Sequence, residues 1–160
     1  LTVLPSTIVI KGEFLSEGSM VGSCPSKDAL QPGTNLYWLR CPVGQTWSVS
    51  SCTGDAIYVD WETAMKSCPN GYRLPTRREY VELFGGCDSD VLGGDWGYCN
   101  TCAESNACKN MFPGDTRWYW SSSSYANSTN YAWYVDFSNG KVSADDKTNT
   151  NHARCVRSGP

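Results

Sequence analysis

Apolar residues first appear as short β-like runs: Thr7-Ile8-Val9-Ile10, Tyr37-Trp38-Leu39 and Ile57-Tyr58-Val59. The pattern then changes to helical spacing. A first helix starts at Asp60, whose carboxylate suits the free amides of a first turn, and carries Trp61, Ala64, Met65 and Cys68 at i, i+3, i+4 and i+7. Pro69-Asn70-Gly71 stops it. A second starts at Thr76, because Thr76-Arg77-Arg78-Glu79 spells a capping box. Tyr80, Leu83 and Phe84 form its apolar stripe, and Gly85-Gly86 ends it.

Residues 87–116 show no regular period and read as a long loop that needs covalent ties to stay ordered. After them the pattern is β. Trp118-Tyr119-Trp120 is one strand. Residues 131–137 alternate, with Tyr131, Trp133, Val135 and Phe137 on one face and Tyr134 and Asp136 on the other. Asn139-Gly140 predicts a hairpin answered by Lys141-Val142-Ser143, and residues 153–157 form the last strand. In an antiparallel meander alternate connections share one end. Loops 121–130 and 144–152 therefore sit side by side, opposite the Asn139-Gly140 turn. Both are rich in Asn, Ser and Thr, with Tyr125, Asp145, Lys147 and His152 among them.

Composition narrows the class. The chain has 160 residues, enough for one α+β domain, with residues 1–36 as an N-terminal strand and irregular arm and 37–160 as the binding domain. Charged residues make 18%, too few for a disordered chain. A net charge of -3 argues against a nucleic-acid partner. No apolar run approaches ~18 residues, which argues against membrane insertion. Leu1 in first place reads as a mature or excised piece. Nine cysteines point to an oxidising, extracellular setting. Seven Trp and nine Tyr suit a binding module there, the plainer reading being a stapled structural domain whose aromatics are core.

Several motifs then follow in order: Cys41-Pro42-Val43-Gly44-Gln45-Thr46-Trp47 with Cys52, Tyr72-Arg73-Leu74-Pro75-Thr76, Trp120-Ser121-Ser122-Ser123, Ala132-Trp133-Tyr134-Val135-Asp136-Phe137-Ser138-Asn139-Gly140, and Arg154-Cys155-Val156-Arg157. Over residues 37–158 the chain resembles the C-terminal domain family of the Legionella collagen-like adhesin. That family is similar to the formylglycine-generating-enzyme branch of the C-type lectin fold. The resemblance implies a disulfide-stapled C-type lectin-like domain with two helices and small antiparallel sheets. It also implies a bacterial surface or secreted protein that attaches to host or cell-surface ligands such as glycans. Members related to diversity-generating systems vary residues in the last strands and loops. The collagen-like adhesin is a trimer and binds sulfated glycosaminoglycans, so a homotrimer and a sulfated ligand are further implications. No Gly-X-Y tract occurs here.

Candidate chemistry is weighed within that frame. Cys41 and Cys52 suit a local hairpin bridge. A Cys68–Cys155 bridge would tie helix to sheet, as many C-type lectin folds do. Cys87–Cys108 is the preferred pair in the long loop, with Cys24 as the odd ninth thiol. Cys99-Asn100-Thr101-Cys102 could serve redox chemistry or, with Cys87 and Cys108, zinc. Structural disulfides are favoured, because no βαβ pattern surrounds it. Asp88-Ser89-Asp90 opens like a calcium loop, but Cys99 stands where a Glu ligand is needed. No cofactor is expected, with calcium left open. His152, the one histidine, has no verifiable Ser-His-Asp spacing with Ser121 to Ser124, and Cys155 is better used structurally, so no enzyme is expected.

The expected function is non-catalytic carbohydrate binding by an adhesin domain. Tyr125, Tyr131 and Trp133 offer aromatic faces, with core packing of Tyr131 and Trp133 as the alternative. Asn127, Asn130, Asn149, Asn151 and His152 offer hydrogen bonds beside Asp145 and Lys147. A sulfated ligand would draw on Arg73, Arg77 and Arg78 or on Lys141, although Arg78 and Glu82 also suit an i, i+4 ion pair. A hypervariable-type protein-binding receptor and a structural oligomerising tip are the other two readings.

Overall fold

A computed structural model describes residues 26–159. The run at 7–10 and Cys24 lie outside the described residues. Helix entry follows the local chemistry. Asp60 accepts the Thr63 amide at 2.8 Å and opens α1 (Trp61–Met65). Thr76 accepts the Glu79 amide while Glu79 accepts the Thr76 amide at 2.7 Å, so the capping box opens α2 (Arg77–Phe84). α1 is shorter than expected. Ser67 returns its hydroxyl to the Ala64 carbonyl, and Cys68 lies beyond the helix in the turn.

Four helices stand among the described residues where two were expected. The additions, α3 (Ser89–Gly93) and α4 (Asn106–Met111), both lie in the segment read as a loop. Helices of one or two turns are too short to show a period. Nine strands stand beside them among the described residues: β1 (Asp28–Leu30), β2 (Leu36–Leu39), β3 (Thr46–Ser48), β4 (Ser51–Thr53), β5 (Gly97–Tyr98), β6 (Trp118–Ser124), β7 (Tyr131–Asp136), β8 (Lys141–Asp146) and β9 (Val156–Ser158). They form an antiparallel β1-β2-β9 sheet, a β3-β4 hairpin and a β5-β8-β7-β6 sheet. The architecture is α+β.

The β1-β2 hairpin runs across residue 36, so Asp28–Leu30, within the stretch read as an irregular arm, is a strand of the first sheet. β6 extends through Ser124, with a register shift between Trp120 and Ser124, and β8 extends through Asp146. The two expected loops are therefore shorter, 125–130 and 147–150.

The four-stranded sheet is packed on both faces. Tyr119, Trp133, Val135, Phe137 and Val142 join Trp38, Tyr80 and Phe84 in the main core. Trp120, Ala132 and Tyr134 form a second core with Ala64, Leu74 and Ala153. Trp61 Nε1 donates to the Ser121 carbonyl at 2.8 Å and Trp120 Nε1 to Val59 at 2.9 Å, docking the 57–61 segment on that second face.

Four disulfides close the described chain: Cys41–Cys52, Cys68–Cys155, Cys87–Cys99 and Cys102–Cys108. The last two replace the expected Cys87–Cys108 bridge. The Asp88 amide donates to the Tyr98 carbonyl at 2.8 Å, which brings the flanking Cys87 and Cys99 together. Ser105 then caps α4 and turns Cys108 back towards Cys102.

Candidate functional site

The polar end of the four-stranded sheet is built by backbone pairing. Tyr131 faces Asp146 in the β7-β8 register. Beyond that pair, the Lys147 amide donates to the Asn130 carbonyl at 2.8 Å, and the Tyr125 amide to the Tyr131 carbonyl at 2.9 Å. Segments 125–130 and 147–150 are thus neighbours, at the end away from Asn139-Gly140. Asn127, Asn130, Thr148 and Asn149 are exposed there, and Tyr131 is 40% exposed. Asn149 Nδ2 donates to Asp145 Oδ1 at 2.7 Å, and Asn127 Nδ2 reaches the Tyr125 hydroxyl at 3.4 Å. Lys147 Nζ lies 4.2 Å from the Trp61 ring centre. The Asp146 carboxylate takes the Thr148 amide and hydroxyl, and these bonds hold it below the usual carboxylate range.

Three expected contacts face inward instead. Trp133 is 5% exposed, packed edge-on to Tyr125 with the Arg77 guanidinium 4.1 Å from its ring centre, so it is core and not a platform. Asn151 is 1% exposed because its backbone bridges to Val59 in both directions. His152 is half-buried between Tyr58 and Tyr119, with Nδ1 2.8 Å from the Ile57 carbonyl oxygen. Burial draws its pKa below the ordinary value against the opposing pull of that carbonyl. It is therefore mostly neutral at pH 7.

The basic candidates do not converge. Arg73 is bidentate with Glu79, at 2.8 and 2.6 Å. Arg77 donates through Nη2 to the carbonyls of Val91 and Asp95. Arg78 is exposed, and among the described residues no ion pair joins it to Glu82. Lys141 pairs opposite Tyr98, at the far end of β8 from the polar loops. Cys99 and Cys102 bond different partners, so they form no dithiol. Among the described residues, no group of three or more His, Cys, Asp or Glu is arranged to hold a metal ion, and no helix is long and apolar enough to cross a membrane.

Two features escaped sequence reasoning. Trp118, 45% exposed, stacks on Tyr134 at 5.6 Å with 29° between the rings. The alternation of β6 and β7 could have placed them on one face, but not shown which part α1 leaves open. The second is a groove between the β3-β4 hairpin and residues 110–117, lined by Arg40, Trp47, Asp115, Arg117 and Arg154. Those residues are dispersed in sequence and carry no motif.

The model of the Lcl C-terminal domain family matches residues 30–157. The chain belongs to this family. The match runs from the end of β1 into β9 and takes in the polar loops, the groove and all four disulfides. No curated protein matches the chain. The Lcl C-terminal domain is adhesin-associated, and four disulfides in this member fit a surface or secreted protein.

Proposed function

We propose that this Lcl C-terminal domain binds carbohydrate outside the cell and catalyses no reaction. The observation that carries the reading is the bond between the Lys147 amide and the Asn130 carbonyl, which sets two polar loops side by side on a rigid sheet. Exposed amides at Asn127, Asn130 and Asn149 supply paired donors and acceptors, the chemistry that sugar hydroxyls need. Tyr131 adds a half-exposed ring. Backbone bonds order the loops before a ligand arrives, which lowers the entropic cost of binding. Asp145 and Asp146 immediately precede Lys147 at the same end, so the local charge favours a neutral sugar over a sulfated one. The fold's kinship with lectin-like domains, implied by the family motifs, supports the same reading. His152 lies between two tilted tyrosine rings, and among the described residues its ring hydrogen-bonds to the Ile57 carbonyl and to no hydroxyl, thiol or carboxylate that would make it a general base.

The test is a glycan array followed by titration of the best neutral hit. Replacing Asn127, Asn130 and Asn149 together by Ala should leave the fold intact and weaken binding by about 0.5–1.5 kcal/mol per hydrogen bond lost. Undiminished binding by the folded triple variant would remove this end of the sheet as the site. Silence on the array together with capture of a cell-surface protein would favour the receptor reading.

A further inference from the structure

The groove beside the β3-β4 hairpin differs in chemistry from the polar loops. Its volume, about 440 Å³, lies within the ~300–1,000 Å³ of ordinary ligand pockets. It stands at the other end of β6 from the polar loops, because residues 115–117 lead into that strand and residues 125–130 leave it. Three guanidiniums, Arg40, Arg117 and Arg154, line it against one carboxylate, Asp115. That excess of positive charge sits in a chain of net charge -3, so the groove is a local reversal of the overall field.

The three arginines do different work. Arg154 is 1% exposed and forms the floor. Its Nη1 donates to the carbonyls of Leu39 and Arg40, and its Nη2 to Asp115 and the Tyr119 hydroxyl. Arg40 and Arg117 are on the rim. Among the described residues the Arg40 side chain makes one hydrogen bond, from Nε to the Ser26 carbonyl, and its guanidinium lies 5.4 Å from the Trp47 ring centre. Arg117 uses its backbone amide and Nη1 on Asp115 Oδ1, leaving Nε and Nη2 without hydrogen-bond partners among the described residues. The rim therefore presents spare guanidinium donors. Asp115 shows what they hold well, since its carboxylate already lies between Arg117 and Arg154. The rest of the lining is mixed, with an apolar side of Pro42, Met111, Phe112 and Pro113 and polar Gln45, Ser50, Ser51 and Asn110.

We propose that this groove binds a carboxylate carried on a ring or other apolar body, with the charge drawn to Arg40 and Arg117 and the body against the Trp47 side. A planar carboxylate matches the guanidinium fork in two parallel bonds, which a point cation could not offer. The site is independent of the neutral-sugar end, and neither stands or falls with the other.

The test titrates the full, disulfide-intact, ¹⁵N-labelled chain with benzoate, benzenesulfonate and benzyl alcohol at constant ionic strength. Benzoate should shift the Arg40 and Arg117 Nε–H signals and the Trp47 indole signal saturably, and benzyl alcohol should not. Arg40→Gln and Arg117→Gln should each weaken benzoate binding about tenfold. The Asn127, Asn130 and Asn149 triple variant should bind benzoate unchanged. An equal response to benzyl alcohol, tighter binding of benzenesulfonate, or unchanged affinity in both folded arginine variants would overturn the proposal. If either variant fails to fold, the three-ligand comparison on the unaltered chain decides alone.

Discussion

Arg154 looks like one more basic residue of the last strands, yet it is a buried structural cation. Its guanidinium lies 3.9 Å from the Phe112 ring centre and spends both terminal nitrogens on fixed acceptors. Asp115→Ala would strip the balancing carboxylate from a buried charge, and should cost about 3–5 kcal/mol, read as a lower denaturant midpoint. The same pair sets acid behaviour. Burial alone would raise the Asp115 pKa, but the attraction of Arg154 and the Tyr119 hydrogen bond hold it below the ordinary carboxylate value. A depressed carboxylate contributes stability above its unfolded pKa of ~3.9 that is lost as pH falls through the folded value. The wild-type chain should thus lose stability below about pH 4, and Asp115→Asn should flatten that slope in an acid titration followed by circular dichroism. At the alkaline end the sign is reversed. Burial pushes the Tyr119 phenol up to about 12 despite Arg154. Its contribution is whole below pH ~10 and lost as pH rises through about 12, a step that Tyr119→Phe should remove.

At the scale of elements, the helix starts were legible because caps are local chemistry. Thr76→Ala removes the hydroxyl that accepts the Glu79 amide and should cost about 1 kcal/mol by thermal or chemical denaturation. The β7-β8 hairpin was legible for a similar reason, yet its turn does more than reverse the chain. Gly140 has φ +75°, its carbonyl accepts the Cys99 amide, and a Cβ there would strike the backbone of Cys99 and Asn100. Gly140→Ala should therefore destabilise by well over the ~1 kcal/mol of backbone preference alone, and should loosen hydrogen-exchange protection in residues 97–102 as well as in the turn. The short α3 and α4 were illegible, since each is held by a disulfide and by packing rather than by its own periodicity.

For the molecule as a whole, the four disulfides differ in the length of chain they close. Cys68–Cys155 spans a separation of 87 residues and Cys102–Cys108 only 6. In the chain-entropy account the long loop contributes about 4–5 kcal/mol and the short one about half as much. Replacing Cys68 and Cys155 by Ala should lower the melting temperature about twice as far as replacing Cys102 and Cys108, measured by calorimetry on the otherwise intact chain. The long bridge also joins the turn after α1 to the segment entering β9, and so helps hold the second core against the sheet.

The sequence by itself determined the α+β class, both capped helix starts, the meander of β6, β7 and β8, and the adjacency of the polar loops. Each of these is set by residues within one or two elements, where periodicity, caps and turn chemistry speak directly. The family likeness was legible for the same reason, its motifs being short and in order. Only the tertiary structure decided which side chains of those loops meet water. Asn127 and Asn151 are the same residue type in similar polar surroundings, yet Asn151 is buried because Val59, some ninety residues earlier, pairs with its backbone. Trp133 and Trp118 occupy neighbouring strands, and the packing of α2 against one face of the sheet buries the first while the second stays open. The arginine groove belongs to tertiary structure altogether, since Arg40, Arg117 and Arg154 are brought together by three separate chain segments. Burial and charge clustering depend on contacts between distant residues, and local pattern carries no record of them.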